Sequence, residues 1–154
     1  MPTELPTSAI QPAAAVSDTW FDYPVRVQPH HTDYAGVAWH GTYIAWLEEA
    51  RVEYLRSIGV NYEDLVAIGC ELPVVELSLR YHRTIQMGTG AIVRTRLQMD
   101  GVRLNCDYRI QSPDGEILYA TAQVTLVAVD REKGKIMRVL PPAVKSALMR
   151  LASL

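Results

Sequence analysis

TDYAGVAWHGTY, residues Thr32 to Tyr43, places a carboxylate, two glycines and a histidine just ahead of an amphipathic run that begins near His40. Asp33 ends an extended segment, and Gly36 lets the backbone pass close to a ligand. The next N–H groups belong to a predicted helix N-terminus, which carries roughly +0.5 elementary charge. This layout suggests carbonyl chemistry, because the N–H groups can hold an oxyanion while the carboxylate attacks or activates water.

The run that follows predicts one long helix with a single buried face. Its apolar side chains recur at spacings of three and four, and its charged residues lie largely elsewhere. The apolar positions are Tyr43, Leu47, Ala50, Tyr54 and Ile58, and Gly59 is placed to end the helix.

Strands are predicted on both sides of this helix. Before it, alternation from Phe21 to Val27 indicates a strand that Pro29 ends. A helical turn is expected within Val60–Gly69, and a strand is expected to begin with Val75 and to continue past Tyr81 until Gly88 and Gly90 interrupt it. Further strands are expected near 91–99, 102–111 and 116–129, with hairpin turns at Asp100-Gly101 and Ser112–Gly115 and a last helix opened by Pro141-Pro142. The order of elements predicts an α+β fold.

The Thr32–Tyr43 segment resembles the signature D-x-x-G-x-V/A-x-x-x-x-Y of hot-dog-fold acyl-CoA thioesterases, the 4-hydroxybenzoyl-CoA and tol-pal-associated thioesterase group. The matching residues are Asp33, Gly36, Ala38 and Tyr43, and further similarities are EEAR at 48–51, EYLRSIG at 53–59, a stretch resembling the family's central strand at 72–90, and KIMRVLP at 135–141. The resemblance covers about Phe21 to Leu148. It implies a hot-dog fold, in which an antiparallel sheet wraps around one long central helix.

The resemblance also implies roles for residues of the signature. Asp33 is expected to be the nucleophile or the general base. The backbone N–H groups at His40 and Gly41 are expected to polarise the thioester carbonyl, and the His40 imidazole is a further candidate donor. Gly36, Trp39 and Tyr43 are expected at the substrate, although Tyr43 also belongs to the buried helix stripe. Tyr34 and Trp39 would suit an aryl acyl group.

Two other interpretations of these residues stay open. An aspartate ahead of a helix is ordinarily a cap, but Asp33 is spaced poorly for that role. Another branch of hot-dog thioesterases carries its acid on the central helix, which makes Glu48 or Glu49 an alternative carboxylate. His30, His31 and His40 lack the spacing of a zinc site, so no metal is expected.

Arginines on the later strands are candidates for binding coenzyme A, since the guanidinium fork suits phosphate. Arg83 is the first choice. The others are Arg80, Arg94, Arg96 and Arg103, with His82 beside them. Coenzyme A is part of the substrate, no other cofactor is expected, and the nucleotide-binding glycine motifs do not occur in the sequence.

Composition sets the remaining limits. The chain has 154 residues, a mass of 17.2 kDa and a formal charge of -2, which fits one domain and argues against nucleic acid as a partner. Residues 1–18 are expected to be a disordered leader and 19–154 a single domain. Two cysteines without a framework favour the cytoplasm, and no apolar run is long enough to cross a membrane.

The sequence therefore predicts a cytoplasmic acyl-CoA thioesterase that acts on an aryl or a short- to medium-chain acyl group and assembles as a homodimer or homotetramer. One alternative is a hot-dog hydratase or dehydratase. Its signature places a histidine five residues after the aspartate, whereas the spacing here is seven. The other is a non-catalytic module that binds acyl-CoA or acyl-carrier protein.

Overall fold

The computed structural model describes residues 19–152, in which one long helix packs against a five-stranded antiparallel sheet. The helices are α1 (His40–Ser57), α2 (Tyr62–Ala67) and α3 (Pro142–Ala152). The strands are β1 (Phe21–Arg26), β2 (Cys70–Glu71), β3 (Val74–Tyr81), β4 (Gly90–Asp100), β5 (Arg103–Gln111), β6 (Leu118–Val127), β7 (Val129–Asp130) and β8 (Lys135–Ile136). This arrangement confirms the predicted hot-dog fold.

The large sheet has the strand order β1-β4-β5-β6-β3, and each neighbouring pair is antiparallel. The β4–β5 hairpin turns at Asp100-Gly101, where Gly101 has a φ of 64°, a conformation that glycine adopts without steric cost. The β5–β6 connection turns through Ser112–Gly115, as the sequence predicts. Strands β2, β7 and β8 form a separate three-stranded sheet.

The predicted stripe of α1 forms the centre of the core. Tyr43, Leu47, Ala50 and Tyr54 are all buried, and Trp46 joins them with 1% of its surface exposed. Burial of a side chain of this size contributes on the order of 2 kcal/mol or more. These side chains pack with buried residues of the sheet, which include Val93, Leu97, Cys106, Ile110 and Val124.

The position of strand β3 in the sheet differs from the one that the sequence suggests. The stretch 72–90 resembles a central strand, but within one chain β3 lies at the edge of the sheet and pairs with β6 alone. Its apolar residues Val74, Val75, Leu77 and Tyr81 are consequently exposed. The pattern of alternation predicts that a strand has an apolar face, but it carries no information on which strands will be its neighbours.

The segment after β3 corrects a second expectation. His82 and Arg83 were expected on a strand, but β3 ends at Tyr81 and both residues lie in the connection to β4. Their backbone N–H groups donate to the carbonyl of Tyr119, at 2.8 and 3.1 Å.

The two shorter helices agree with the sequence, whereas the second sheet of β2, β7 and β8 was not predicted. Helix α2 occupies the predicted turn region, and α3 begins at the second proline of the Pro141-Pro142 pair. The predicted leader, residues 1–18, lies outside the described residues. Within 19–152, no helix is both long and apolar enough to span a membrane.

Candidate active site

Asp33 lies at the start of a tight turn between two short extended segments. Its N–H donates to the carbonyl of Val37 at 3.0 Å, and its carbonyl accepts from the N–H of Gly36 at 3.1 Å. Gly36 has a φ of 77°, which glycine tolerates and other residues adopt at a cost. No atom lies within 4 Å of the place where a Cβ would be, so the turn conformation accounts for this glycine.

The carboxylate of Asp33 is held within the same turn. Its Oδ1 accepts from the N–H of Ala35 at 2.8 Å, which orients one oxygen and leaves the other without a hydrogen bond or ion pair among residues 19–152. Helix α1 begins seven residues later, at His40, with Trp39 as its N-cap. Asp33 therefore does not cap the helix, as its spacing predicts.

Hydrogen bonds fasten this turn to the start of α1. The carbonyl of His31 accepts both the N–H of Trp39, at 2.8 Å, and the Oγ1 hydroxyl of Thr42, at 2.7 Å. Thr32 and Ala38 form a β-bridge across the turn. The connection from β3 to β4 adds support, because the N–H of Ala38 donates to the carbonyl of Ile85 at 2.8 Å. Hydrogen bonds thus join the turn that carries the carboxylate to the helix start.

The first turn of α1 presents free donors. The N–H groups of His40 and Gly41 have no hydrogen-bond acceptor in the described part of the chain, and Trp39 makes no side-chain capping bond. Such N–H groups carry the partial positive charge of the helix. They are suited to bind a carbonyl oxygen or an oxyanion.

The absence of a Cβ at Gly41 leaves space for a neighbouring ring. The indole ring of Trp39 lies against its Cα so closely that a Cβ would overlap the ring. Gly41 also lines a cavity of about 470 Å³ between α1 and the exposed strand β3. The other lining residues include Ile44, Leu47, Glu48, Arg51, Val74 and Leu77, so that an apolar chamber adjoins the helix start.

Tyr43 occupies the buried stripe behind the helix start. It is 2% exposed, and its ring makes edge contacts with Tyr81 and Trp46, at centroid distances of 4.9 and 5.7 Å. Burial, together with nearby Tyr81 and Tyr119, raises the pKa of Tyr43 to about 12. This placement gives Tyr43 a packing role.

The two glutamates of α1 are placed differently. Glu48 is exposed and lines the cavity, where one of its oxygens is 4.0 Å from Nη2 of Arg51. Glu49 accepts a hydrogen bond from the Tyr23 hydroxyl at 2.9 Å. Of these two carboxylates, Glu48 therefore remains the alternative acid.

Arg83 lies in another cleft. Its neighbours there include Thr84, Ile85, Gln86 and Tyr119. The same segment supports the active-site turn, since Gln86 forms a β-bridge with Val37. Arg83 is exposed and forms no ion pair with a described residue.

Two of the histidines make local contacts. Nδ1 of His31 accepts the N–H of Gln28 at 2.9 Å, and its ring packs edge-on to Trp46. His40 is exposed and stacks at a tilt on Trp39. Residues 19–152 contain no group of three or more His, Cys, Asp or Glu side chains that could hold a metal ion.

Two residues near the site were not identified from the sequence. The Tyr81 hydroxyl donates to the carbonyl of His40 at 2.9 Å and so braces the helix start. Arg51 is buried, lines the cavity and donates to the Tyr108 hydroxyl at 3.1 Å. In the sequence, Arg51 follows Ala50 and so lies at the edge of the apolar stripe. A charged residue at such an edge is buried only when it has partners, so this position could have indicated a partnered arginine.

The fold and the site define a hot-dog domain with a carboxylate fixed beside a helix N-terminus. A family profile described as the thioesterase-like superfamily matches residues 27–148, and the chain belongs to this superfamily.

Named relatives agree with this membership. The protein sll0410 of Synechocystis sp., named provisionally as an esterase, is 54% identical over 142 residues, which is 92% of this chain and 86% of the relative. The acyl-CoA thioester hydrolase YbgC of Escherichia coli is 31% identical over 130 residues, which is 84% of this chain and 96% of YbgC.

Solved structures show the same likeness. A 1,4-dihydroxy-2-naphthoyl-CoA thioesterase of Synechocystis, Slr0204, superposes with a TM-score of 0.78 at 26% identity, covering 84% of this chain and 96% of the other. The DHNA-CoA thioesterase of Staphylococcus aureus has a TM-score of 0.80, also at 26% identity, and covers 88% and 92%.

Proposed function

We infer that this protein is an acyl-CoA thioesterase, which hydrolyses an acyl-CoA to a free carboxylic acid and coenzyme A. The observation that carries this proposal is the hydrogen-bonded unit of Asp33 with the free N–H groups of His40 and Gly41. The membership of the thioesterase-like superfamily and the similarity to YbgC support it.

In the proposed reaction, the thioester carbonyl oxygen accepts hydrogen bonds from the backbone N–H groups of His40 and Gly41. Asp33 either attacks the carbonyl carbon or takes a proton from an attacking water. The tetrahedral oxyanion is held by the same N–H groups, each well-aimed donor contributing roughly 3 kcal/mol. The carbon–sulfur bond then breaks and coenzyme A leaves as a thiolate. If Asp33 is the nucleophile, water hydrolyses the resulting anhydride.

The proposed acyl site is the cavity between α1 and β3. Its apolar lining of Ile44, Leu47 and Leu77 suits a hydrocarbon group, and its volume of about 470 Å³ accommodates a ring or a short to medium chain. Trp39, beside Gly41, is half-exposed and offers an aromatic surface. Similarity to two dihydroxynaphthoyl-CoA thioesterases favours an aryl group among these choices.

The proposed contact with the coenzyme A phosphates is Arg83. Its guanidinium is exposed and unpaired among the described residues, and its segment is bonded to the turn that carries Asp33. A cation at this place can bind phosphate without losing an existing ion pair.

The proposed assembly is a homodimer or homotetramer with pairing at β3. The outer edge of β3 has no strand partner in residues 19–152, and its exposed apolar side chains include Val75 and Leu77. An unpaired edge of this kind promotes association, and a two-fold axis pairs two copies of one strand antiparallel. Because Val74 and Leu77 also line the cavity, each active site would be completed by the second subunit. A fully active monomer in sedimentation at micromolar concentration would contradict this assembly.

The test of the activity is a panel of acyl-CoA esters in which a thiol reagent detects the released coenzyme A. An aryl series and a linear series of increasing length would define the acyl preference. Hydrolysis of at least one ester supports the proposal. Binding without thiol release would favour the non-catalytic module, and hydration of an enoyl-CoA without thiol release would favour the hydratase.

The proposed reaction needs no cofactor, because a carboxylate and backbone N–H groups supply both the attack and the charge stabilisation. Turnover should therefore survive dialysis against a chelator. A cytoplasmic location is proposed as well, and the unpaired, buried Cys70 and Cys106 are consistent with it.

A further inference from the structure

Another cavity, of about 490 Å³, opens on the face of the large sheet that points away from α1. Side chains alternate along a strand, so Arg94 and Arg96 point outward while Val93 and Leu97 enter the core. We call this space the outer cavity; its lining includes Trp20, Arg80, His82, Arg96, Asp107 and Arg109. It lies back to back with the proposed acyl cavity.

The charges on this face do not balance. One cross-strand row runs Asp22, Arg94, Arg109, Thr121, Arg80 from β1 to β3. Arg94 pairs with Asp22 at 2.9 Å, and Arg96 in the adjacent row pairs with Asp107 at 3.4 Å. These two ion pairs use both aspartates. Glu76 is exposed in a neighbouring cleft with Arg96 and Asp107 and pairs with neither Arg80 nor Arg109.

Arg109 is left as a buried cation without a partner. Its exposure is 8%, and its side chain makes no hydrogen bond or ion pair with any residue of the described range. Its Nε is fully buried and unsatisfied. Burial is the main cause that lowers the pKa of Arg109, and the nearby charges of Arg94 and Arg96 lower it further. An isolated buried charge is destabilising unless an anion or a hydrogen-bond acceptor compensates it.

The surroundings indicate what would compensate it. Arg80 is exposed on the same row and also has no ion-pair partner in the described chain. His82 lies beside it, its Nε2 3.1 Å from Oγ1 of Thr121. Two uncompensated guanidinium groups and an imidazole converge on one space, which favours an anion with two charges over a single carboxylate.

We propose that the outer cavity binds a phosphate group, free or carried by a small organic molecule, with Arg109 as its principal ligand and Arg80 and His82 at its rim. A phosphate group fills a small part of 490 Å³. The remaining space is bounded by Trp20, whose ring packs on the Arg96 guanidinium at 4.5 Å and offers a surface for an attached group.

This site is distinct from the active site. Leu77 and Val124 line the acyl cavity, whereas their sequence neighbours Ser78 and Gln123 line the outer cavity. The sheet therefore separates the two spaces, and a ligand of the outer cavity is not the thioester that reaches Asp33 from the other face.

The test is calorimetric titration of the full chain with inorganic phosphate, in chloride buffers of matched ionic strength. The unmodified protein should bind phosphate, and Arg109→Met should bind it at least tenfold more weakly. Arg103→Met is the matched control, because Arg103 begins the same strand, is exposed and does not line the outer cavity. It should bind phosphate like the unmodified protein.

Phenyl phosphate provides a second arm. Tighter binding of phenyl phosphate than of inorganic phosphate would assign the cavity to a monoester, and the reverse order would assign it to free phosphate. If Arg109→Met does not fold, Arg109→Lys replaces it, and its loss of the guanidinium fork should also weaken binding. Thioester hydrolysis by the folded Arg109 variants should be unchanged.

Two outcomes would overturn the proposal. One is phosphate binding that is absent in the unmodified protein or equal in all variants. The other is a pair of results: the unmodified protein binds no phosphate, and Arg109→Met dissociates the assembly in sedimentation. The partner of Arg109 would then be a carboxylate of a second copy.

Discussion

The indole ring of Trp39 lies against the Cα of Gly41, so that a Cβ at position 41 would overlap the ring. This contact joins the N-cap of α1 to its second residue. Trp39 is 49% exposed, and its ring can move outward if it is displaced. The orientation of the free N–H groups is thus coupled to the position of an aromatic side chain.

Gly41→Ala is expected to change the free energy of unfolding in opposite directions in the presence and in the absence of the Trp39 ring. In the unmodified protein the new methyl group should expel the Trp39 ring, lower the free energy of unfolding and reduce kcat/KM about tenfold. In a Trp39→Ala background, the same substitution should stabilise the protein by up to about 1 kcal/mol, because alanine has the higher helix propensity. Chemical denaturation of the four proteins measures both effects. The same sign in both backgrounds would show that the ring does not restrict position 41.

Asp33→Asn should separate chemistry from structure. The asparagine oxygen can still accept the Ala35 N–H, so stability should change by less than about 1 kcal/mol. Loss of the charge should lower kcat on the order of a hundredfold or more, with acyl-CoA affinity roughly retained.

Asp114→Asn is the matched control for that variant. Oδ1 of Asp114 also accepts the N–H two residues ahead, that of Glu116, at 3.0 Å, but in the β5–β6 turn. Its turnover should equal that of the unmodified protein. Near-normal turnover of Asp33→Asn would remove Asp33 from the reaction.

Glu48→Gln and Glu49→Gln test the alternative acid. Both variants should keep kcat within a few fold. Glu48→Gln should alter KM for some acyl groups, because Glu48 lines the cavity and Glu49 instead binds Tyr23. Steady-state kinetics with two acyl-CoA esters measures this. If Glu48→Gln abolishes turnover while Asp33→Asn retains it, the chain uses the helix carboxylate.

The features predicted correctly from the sequence are local ones. The stripe from Tyr43 to Ile58 has a period that the helix itself imposes, and Asp100-Gly101 forms a turn from its own backbone preferences. The position of β3 at the sheet edge depends on pairing between segments far apart in the chain. Arg109 is unpaired because strand pairing places Asp22 beside Arg94 and Asp107 beside Arg96. The alternation of side chains in the sequence does not specify this strand pairing.

The candidate site divides in the same way. Asp33, Gly36 and the helix start lie in one continuous segment, so a signature could identify them together. Tyr81 reaches His40 across 41 positions of sequence, and no local pattern indicates that contact.

Arg83→Ala should raise KM for an acyl-CoA more than it lowers kcat, because the proposed contact is to phosphates remote from the thioester. Arg138→Ala is the control, since Arg138 is an exposed arginine that does not line this cleft. Kinetics with an acyl-pantetheine that lacks the nucleotide completes the measurement. Equal KM values for the acyl-CoA and the acyl-pantetheine in the unmodified protein would contradict a phosphate contact.

Alkaline pH should destabilise the protein partly through Tyr43. Its pKa is raised from 10.0 to about 12 in the folded state, so the folded protein retains a proton that the unfolded chain has lost between these values. Stability contributed by this group is fully present below pH 10 and falls as the pH rises toward 12, by about 1.4 kcal/mol per pH unit as an upper bound.

Tyr43→Phe removes the titration while keeping the ring contacts with Tyr81 and Trp46. The free energy of unfolding from urea titrations should therefore fall less steeply from pH 10 to 12 in Tyr43→Phe than in Tyr34→Phe, a control whose side chain is fully exposed. Identical slopes for the two variants would show that the Tyr43 hydroxyl titrates alike in the folded and unfolded states.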